Sequence, residues 1–209
     1  MSPDPAPPSP AATAVEWFRS FVDVLGGSHI DLEPYSPTRH GPLVTFDLPS
    51  GMAEVERYWV DVPFAFVWIG REQTTGEVRY VVADPSLDAW ETELYETLIE
   101  DLRETLIHRR SVGEHQSTDV LRDELLEQVE RYGVTLSPNS VYRLLYHLMR
   151  RFQGYGRIDP ILKDPNVEDI SCDGADKSVF VYHRSYTDVR TNVAFSGPEL
   201  DDFVVRLAQ

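Results

Sequence analysis

The stretch from Gly154 to Gly174, GYGRIDPILKDPNVEDISCDG, decides the fold. Glycine has no Cβ and tolerates the positive φ at which many helices end, so Gly154 and Gly156 are predicted to end the amphipathic helix before them. Asp159 is predicted to cap a second helix of a single turn, with Pro160 at its first position. The stretch therefore predicts a junction between a helical region and a β-rich region.

Two strands and a turn are predicted after this junction. Residues 167–172 and 178–183 have the composition and alternation of strands, and Asp173-Gly174 is a pair typical of a tight turn between them. Alternation then resumes further along the chain. Residues 168–195 are therefore predicted to form a small antiparallel sheet.

A final helix is predicted from a capping box formed by Ser196 and Glu199. No glycine or proline ends its apolar pattern, so the helix is expected still to be running at Gln209. The residues predicted to face the core share helical spacing and are Leu200, Phe203, Val204 and Leu207.

Upstream, a stretch rich in aromatic and β-branched residues predicts a hairpin. Its strands are residues 58–69 and 78–82, with a turn at residues 74–76. Residues 43–46 form a candidate short strand in a region otherwise predicted as loop. The residues predicted to be the core of this layer are Trp59, Phe64, Phe66 and Trp68.

Three amphipathic helices are predicted after the hairpin. The first begins at a Ser86 cap, the second ends near Gly133, and the third begins at Ser137-Pro138. Successive amphipathic helices joined by short loops are typical of a bundle. The sequence therefore predicts an α+β fold, in which an N-terminal hairpin and helical bundle are followed by a small antiparallel sheet packed against helices.

Four segments are predicted along the chain. Residues 1–14 are rich in proline, alanine and serine and are expected to be a disordered tail. Residues 15–57 form a lead-in of helix and loop, whose helix is placed at residues 15–25. The hairpin and three-helix bundle occupy residues 58–153, and residues 154–209 form a small α+β subdomain truncated in its last helix.

The charge of the chain limits what the protein binds. A net charge of −16 argues against nucleic acid, because binding phosphates requires clustered lysine or arginine. Lys163 and Lys177 are the only lysines. An acidic surface poor in lysine favours a cytoplasm of high salt, where repulsion between carboxylates is screened. An ordinary acidic protein of a mesophile is the alternative.

The sequence also limits the cellular compartment. It contains neither an apolar run of the ~20 residues that span a bilayer nor the pattern of a signal peptide, so a cytoplasmic location is predicted. The single cysteine, Cys172, has no partner for an internal disulfide. Its place within a predicted strand makes it a small buried side chain.

No constellation for catalysis is found in the sequence. A P-loop requires Gly-x-x-x-x-Gly-Lys-Ser/Thr, and neither lysine lies in such a run. The histidines lack the spacing of a metal site. Glu168 and Asp169 are adjacent in a predicted strand and point to opposite faces, so they are interpreted as structural residues beside a turn. No catalytic residue and no metal site is therefore assigned.

A family resemblance rests on the residues of the junction and the sheet after it. The sequence resembles the N-terminal domain of the secretion ATPase superfamily, and within it the archaeal pilus and archaellum assembly ATPases of the type II/type IV secretion class. The resemblance is strong over residues 137–209, weaker over residues 58–85 and absent over about the first 30 residues. The residues that carry it are residues 155–162, Asp164-Pro165, residues 168–171, Asp173-Gly174, residues 179–183, Thr191-Asn192-Val193 and Phe195.

The resemblance implies a subunit of a hexameric motor rather than a free-standing enzyme. In that family ATP and Mg²⁺ bind in a cleft between this N-terminal domain and a C-terminal RecA-like motor domain that carries the Walker motifs. Arg184 and Arg190, which flank the turn of the sheet, are the candidates for contact with nucleotide in this cleft or for a subunit interface. The implied partners are the motor domain, further copies of the subunit and a membrane platform protein, at the inner face of the cell membrane.

Two functions remain open at this point. One is an N-terminal module that couples the motor domain to the platform protein as ATP is turned over. The other is a stand-alone acidic interaction module that regulates or scaffolds a secretion motor.

Overall fold

The computed structural model describes residues 35–111 and 118–208, with side chains given for those outside residues 104–123. The chain divides into two units by its contacts. The helical unit comprises the described parts of Met1–Pro42 and Leu87–Leu145, and the sheet unit comprises Leu43–Ser86 and the described part of Tyr146–Gln209. The predicted tail at residues 1–14 and helix at residues 15–25 lie outside the described residues.

Helices occur in both units. The helical unit contains α1, α2, α3 and the start of α4, and the sheet unit contains the end of α4, a 3-10 turn, α5 and α6. The bounds are α1 Pro37–His40, α2 Ala89–Ser111, α3 Thr118–Arg131, α4 Pro138–Phe152, the 3-10 turn Gly156–Ile158, α5 Asp159–Leu162 and α6 Gly197–Leu207.

All six strands of the described residues form one sheet in the sheet unit. Neighbouring strands are antiparallel except β3 and β6, which are parallel, and the order is β1-β2-β3-β6-β5-β4. The bounds are β1 Met52–Asp61, β2 Ala65–Glu72, β3 Val78–Ala83, β4 Val167–Ser171, β5 Ser178–His183 and β6 Thr187–Ala194.

The predicted α+β class is confirmed, but the arrangement of its strands differs from the prediction. The hairpin and the later strands belong to one sheet instead of two separate regions, and the seam between β3 and β6 joins them. The seam is short, with Arg79 opposite Arg190 and Tyr80 opposite Thr191.

The side chain of Asn192 extends this short seam. Its Nδ2 donates to the Val82 carbonyl at 2.9 Å, and the Val82 amide donates to its Oδ1 at 2.8 Å. The carboxamide thus pairs with the β3 backbone as another strand residue would. The two residues are 110 positions apart in the chain. We name these two hydrogen bonds the Asn192 clasp.

One face of the sheet carries the main core of the sheet unit. Period-2 alternation places valine, isoleucine and tyrosine side chains of four strands, β2, β3, β5 and β6, on this face, where the 3-10 turn and α5 add two isoleucines. Burial of these apolar side chains stabilises the unit. The members are Val67, Ile69, Tyr80, Val82, Ile158, Ile161, Val179, Val181, Val189, Val193 and Phe195.

The opposite face is covered over β2 and β3 by the segment before β1. Val44 and Phe46 pack there against Phe66 and Trp68. The prediction of a strand at residues 43–46 is wrong, since this segment packs through its side chains without joining a ladder. Burial of Phe66 and Trp68 is confirmed.

The predicted first strand of the hairpin is two strands. β1 ends at Asp61 and β2 begins at Ala65. Pro63 lies between them and has no N–H to donate to a ladder, which explains the break. Phe64, as predicted, is buried, but the prediction for Trp59 is wrong because its side chain is 51% exposed on β1, a strand at the edge of the sheet.

In the helical unit, side-chain hydrogen bonds fix the start of α2, and an ion pair connects it to α4. The predicted cap at Ser86 is wrong, because α2 begins at Ala89 after Asp88. The Asp88 side chain accepts from the Glu91 amide at 2.7 Å, and Glu91 accepts from the Asp88 amide at 3.0 Å. This reciprocal pair is a capping box. Glu91 also forms an ion pair with Arg143 of α4.

The other predicted helix boundaries agree well with the structure. α3 ends two residues before Gly133, which has a φ of +65°, and α4 begins at Pro138. The capping box of Ser196 and Glu199 at the start of α6 is present. By contrast, the prediction that α6 continues to Gln209 is wrong, because the helix ends at Leu207 with Ala208 as its C-cap.

The predicted core stripe of α6 is half right. Leu200 and Phe203 pack against the main core, and Phe203 stacks on Phe195 at a ring distance of 5.1 Å. Val204 and Leu207 are exposed, because the side of α6 that packs on the sheet is narrow.

The two glycines of the junction have different roles. Gly156 has the predicted positive φ, +63°, but it begins the 3-10 turn and does not end α4, whose last residue is Phe152. Gly154 does not adopt a positive φ, and that prediction is wrong. A Cβ on Gly154 would instead collide with the carboxylate of Asp159. Gly154 is therefore required by close approach.

Asp159 is not a helix cap. It is the first residue of α5, and its Oδ1 accepts a hydrogen bond at 2.7 Å from the amide of Tyr155, which precedes the 3-10 turn. Pro160 is buried near the start of α5, consistent with the prediction. The junction is thus held by a carboxylate that reaches back along the chain.

We expect Gly156→Val to lower the free energy of unfolding by about 1–3 kcal/mol, since a β-branched residue is strained at a φ of +63°. A Cβ there would meet no other atom within 4 Å, so the cost comes from the backbone alone. Urea denaturation measures it. Gly197→Val is the matched control, because Gly197 has open space and no positive φ. Equal stability of the two variants would contradict the assignment.

Candidate functional site

The two arginines predicted for nucleotide contact are exposed and held apart by different partners. Arg184 lies in the turn after β5 and donates through Nε to the Glu168 carboxylate at 3.0 Å. Arg190 lies within β6 and donates through Nε to the Ser178 hydroxyl at 3.0 Å. The structure therefore does not bring them into one site.

Arg190 instead has an arginine neighbour that the sequence analysis missed. Arg79 of β3 lies directly opposite it across the parallel seam, and Phe180 of β5 lies opposite it on the other side. Arg79 alternates with the buried Tyr80, and this alternation is the signal that could have found it. These three residues form a row across the sheet, which we name the arginine row.

The arginine row lies on the face of the sheet opposite the main core. Phe180 and Arg190 are exposed there, and Tyr182 is exposed two residues along β5. Arg79 is half-buried and its Nε has no hydrogen-bond partner, while its nearest carboxylate, on Glu77, is 3.8 Å from Nη2. Like charges directly opposite each other are unfavourable. This row can therefore accept an oxyanion such as a carboxylate or phosphate.

A second cluster of polar side chains is buried within the main core and centred on Asp164. Its Oδ2 accepts hydrogen bonds from Tyr58 at 2.7 Å and from Tyr80 at 2.8 Å, and its Oδ1 accepts from the Asn166 amide at 2.8 Å. The Tyr58 oxygen also lies 3.1 Å from Nε2 of His183. Strands β1 and β3 are thus tied to one carboxylate, and β5 joins the cluster through the contact of His183 with Tyr58.

Hydrogen bonding fixes the protons of this cluster. The Ser185 amide donates to Nδ1 of His183 at 3.1 Å, so Nε2 carries the ring proton and donates to Tyr58. Burial raises the pKa of Tyr58 and of Tyr80, and the Asp164 carboxylate raises both further. Both tyrosines therefore stay protonated as donors. The cluster ties strands together rather than presenting a reactive group.

The junction has its own buried cation. Arg150 of α4 donates through Nε to the Gly156 carbonyl at 2.9 Å and through Nη1 to the Tyr146 hydroxyl at 3.0 Å. It also pairs with Asp84, which follows β3. The side chain is buried, so these partners compensate its loss of hydration. Arg150 therefore positions the 3-10 turn relative to the end of β3.

The remaining motif residues lie in or near the connection after β4. β4 ends at Ser171, so Cys172 falls in the loop and is exposed; the prediction of a buried cysteine is wrong. Asp173 and Gly174 do not form a two-residue turn, because the loop spans residues 172–177. Gly174 has a φ of +120°, and a second left-handed residue, Asp176, follows it. Asp169 is exposed on β4.

Over residues 35–111 and 118–208, no group of three or more histidine, cysteine or acidic side chains could hold a metal ion. In the same part of the chain, no helix combines the length and the apolar character that crossing a bilayer requires.

Comparison with known proteins gives one family and two relatives. Residues 12–86 match the family model described as PilB3-like, N-terminal. Uncharacterized protein MJ1288 of Methanocaldococcus jannaschii is 33% identical over 150 residues, which cover 71% of this chain and 60% of that protein. Uncharacterized protein MJ0900 of the same organism is 25% identical, over 64% of this chain and 28% of that protein. The chain thus spans less than two thirds of either relative.

The family match also corrects the extent of the resemblance. It begins at residue 12, so most of the first 30 residues, which the sequence analysis placed outside the resemblance, belong to it. The match over residues 12–86 supports an N-terminal domain of a pilus or secretion ATPase.

Proposed function

We propose that this chain is the N-terminal coupling and docking module of a hexameric archaeal ATPase that assembles a type IV pilus or archaellum or drives secretion. The observation that carries the proposal is the family match over residues 12–86. The motif residues from 154 to 195 support it independently. Both relatives come from an archaeon, which supports the archaeal assignment.

In this proposal the chemistry belongs to a RecA-like motor domain outside this chain. That domain supplies the Walker motifs, and with them ATP and Mg²⁺. The present module moves relative to the motor domain during turnover and docks the motor on a membrane platform protein at the inner face of the cell membrane. The residues most suited to the nucleotide cleft or a subunit interface are Arg190, in the arginine row, and Arg184, in the turn after β5.

An alternative function is a stand-alone acidic module that regulates a secretion motor. The absence of a P-loop from the 209 residues and the net charge of −16 favour it. The two functions differ in whether the module must be covalently linked to the motor domain. A coupling module changes the turnover of a motor domain linked to it in the same polypeptide, whereas a regulator acts as a separate chain.

We expect the 209-residue chain neither to bind ATP tightly nor to hydrolyse it, because no P-loop is present to hold the phosphates. Turnover is expected only when a Walker-bearing motor domain is linked to it. Calorimetric titration with MgATP and phosphate release, each on the chain alone and on the linked protein, measure both. Turnover by the chain alone that survives repurification would overturn the proposal.

Variants of the linked protein test the proposed surface. Arg190→Gln and Arg184→Gln are expected to lower turnover several-fold. Arg131→Gln is the control, because Arg131 is an exposed arginine of α3 paired with Glu127 at 3.1 Å and far from these residues in the chain. If all three variants turn over ATP like the unmodified protein, neither Arg184 nor Arg190 is part of the contact surface. If turnover rises only when the module is added as a separate chain, the regulatory alternative replaces the proposal.

A further inference from the structure

Helix α6 is attached to the sheet unit in an unusual way. No residue is buried in α6, all of which lies within the described part of the chain. Its apolar contact comes from Leu200 and Phe203, which are partly buried against the main core. The neighbouring Val204 and Val205 are more than half exposed. Apolar burial therefore contributes little to holding this helix.

Three arginines provide the other contacts of α6, and we name them the arginine latch. Arg206 of α6 donates to the carbonyls of Arg151 and Gly154, at and just beyond the C-terminal end of α4. Arg151 pairs with Asp202. The third, Arg157 of the 3-10 turn, donates through Nε to the Glu199 carboxylate at 2.9 Å.

The Arg206 contact differs in kind from the two ion pairs. The last carbonyls of a helix have no partner within the helix and carry partial negative charge, so a guanidinium is well matched to them. The Arg206 contacts are part-buried, and this desolvation, together with the nearby Arg151 guanidinium, lowers the pKa of Arg206. The Arg157–Glu199 pair is exposed, and exposed ion pairs contribute little and are screened by salt. The Arg151–Asp202 pair is partly buried. Arg206 differs from both pairs because it donates to two carbonyls at once, so it is the member of the latch chosen for the test.

We infer that α6 is a releasable helix, which opens from the sheet unit while the sheet stays folded and which Arg206 holds closed. An 11-residue helix is marginal by itself, so release also unwinds it. Opening exposes Phe195 and frees the carbonyls at the end of α4. It is promoted by salt, because each member of the latch is electrostatic.

Hydrogen exchange of the whole chain, followed by mass spectrometry, tests this inference. Peptides covering residues 197–207 are expected to exchange about tenfold or more faster than peptides covering β5 and β6, as a locally opening element does. Molar KCl is expected to widen this difference. Arg206→Gln is expected to speed exchange of residues 197–207 by about a further tenfold and to leave β5 and β6 unchanged.

Two further variants separate a latch from a general loss of stability. Arg206→Lys keeps the positive charge but lacks the paired N–H donors of the planar guanidinium. The exchange rate of residues 197–207 in this variant should lie between those of the unmodified chain and of Arg206→Gln. Arg131→Gln removes an exposed arginine of α3 and should leave residues 197–207 unchanged. The inference is overturned if α6 exchanges together with β5 and β6, if Arg206→Gln accelerates all peptides equally, or if Arg206→Gln has no effect on α6.

Discussion

Asp164→Ala is expected to lower the free energy of unfolding by about 3–5 kcal/mol, the largest loss at any position of the sheet unit considered above. The carboxylate is 4% exposed and accepts from two tyrosine hydroxyls and one backbone amide. Its removal leaves these buried donors without a partner, and each unsatisfied group costs about 1–3 kcal/mol. Equilibrium urea denaturation followed by tryptophan fluorescence measures the loss.

A control variant and a double-mutant cycle test whether the loss comes from the Asp164 hydrogen bonds. Asp169→Ala changes an exposed aspartate on β4 of the same sheet and should leave the urea midpoint unchanged. Tyr80→Phe alone should destabilise the fold, but much less so when Asp164 is already alanine, because the hydroxyl then has no carboxylate to donate to. Additive losses in the double variant would show that the Asp164 cluster is not one network.

Arg143→Met is expected to lower the stability of the helical unit by about 3 kcal/mol. It leaves the carboxylate of Glu91, which is 1% exposed, without its cationic partner. An uncompensated buried charge is strongly destabilising. Far-UV circular dichroism during urea denaturation follows this helix-rich unit. Arg131→Met breaks an exposed pair on α3 and should have little effect. Similar losses in both variants would contradict the role given to Glu91.

The pH dependence of the same pair has a definite sign. Burial opposes ionisation of Glu91, but hydrogen bonds from Arg143, Asp88 and Ser140 outweigh it, so the pKa of Glu91 lies below its ordinary value. A depressed carboxyl pKa contributes stability above the pKa of the unfolded chain, and this contribution is lost as the pH falls through the folded value. The difference between Arg143→Met and the unmodified chain should therefore shrink on acidification. A difference independent of pH would contradict the ion pair.

Local patterns were sufficient to predict much of the fold. Pro138 and Gly133 mark helix boundaries through backbone rules that act within a few residues, and the capping box at Ser196 is also local. Asp159 shows the limit of such rules. A residue before a proline satisfied the pattern of a cap, yet its carboxylate bonds to an amide four residues upstream, a choice that depends on the close approach permitted by Gly154.

The candidate site was harder to predict because its parts are remote in sequence. Arg190 was found as a cationic residue near a turn, but its neighbour Arg79 is brought beside it by a seam that no local pattern specifies. The same holds for Asp164, whose hydroxyl partners come from β1 and β3. In the sequence, Asp164 stood out only as part of the Asp164-Pro165 pair that carries the family resemblance. Pairing between remote segments decides both clusters.

The Asn192 clasp has a consequence for the order in which the chain folds. It closes a loop between Val82 and Asn192, which are 110 residues apart. Closing a long loop lowers the conformational entropy of the chain before any stabilising contact is made. During synthesis β1, β2 and β3 emerge first, and the outer edge of β3 stays unpaired until β6 is made. A ribosome must therefore add more than a hundred residues while that edge is open to other chains, which makes this interval the time of greatest aggregation risk and the natural moment for a chaperone to act.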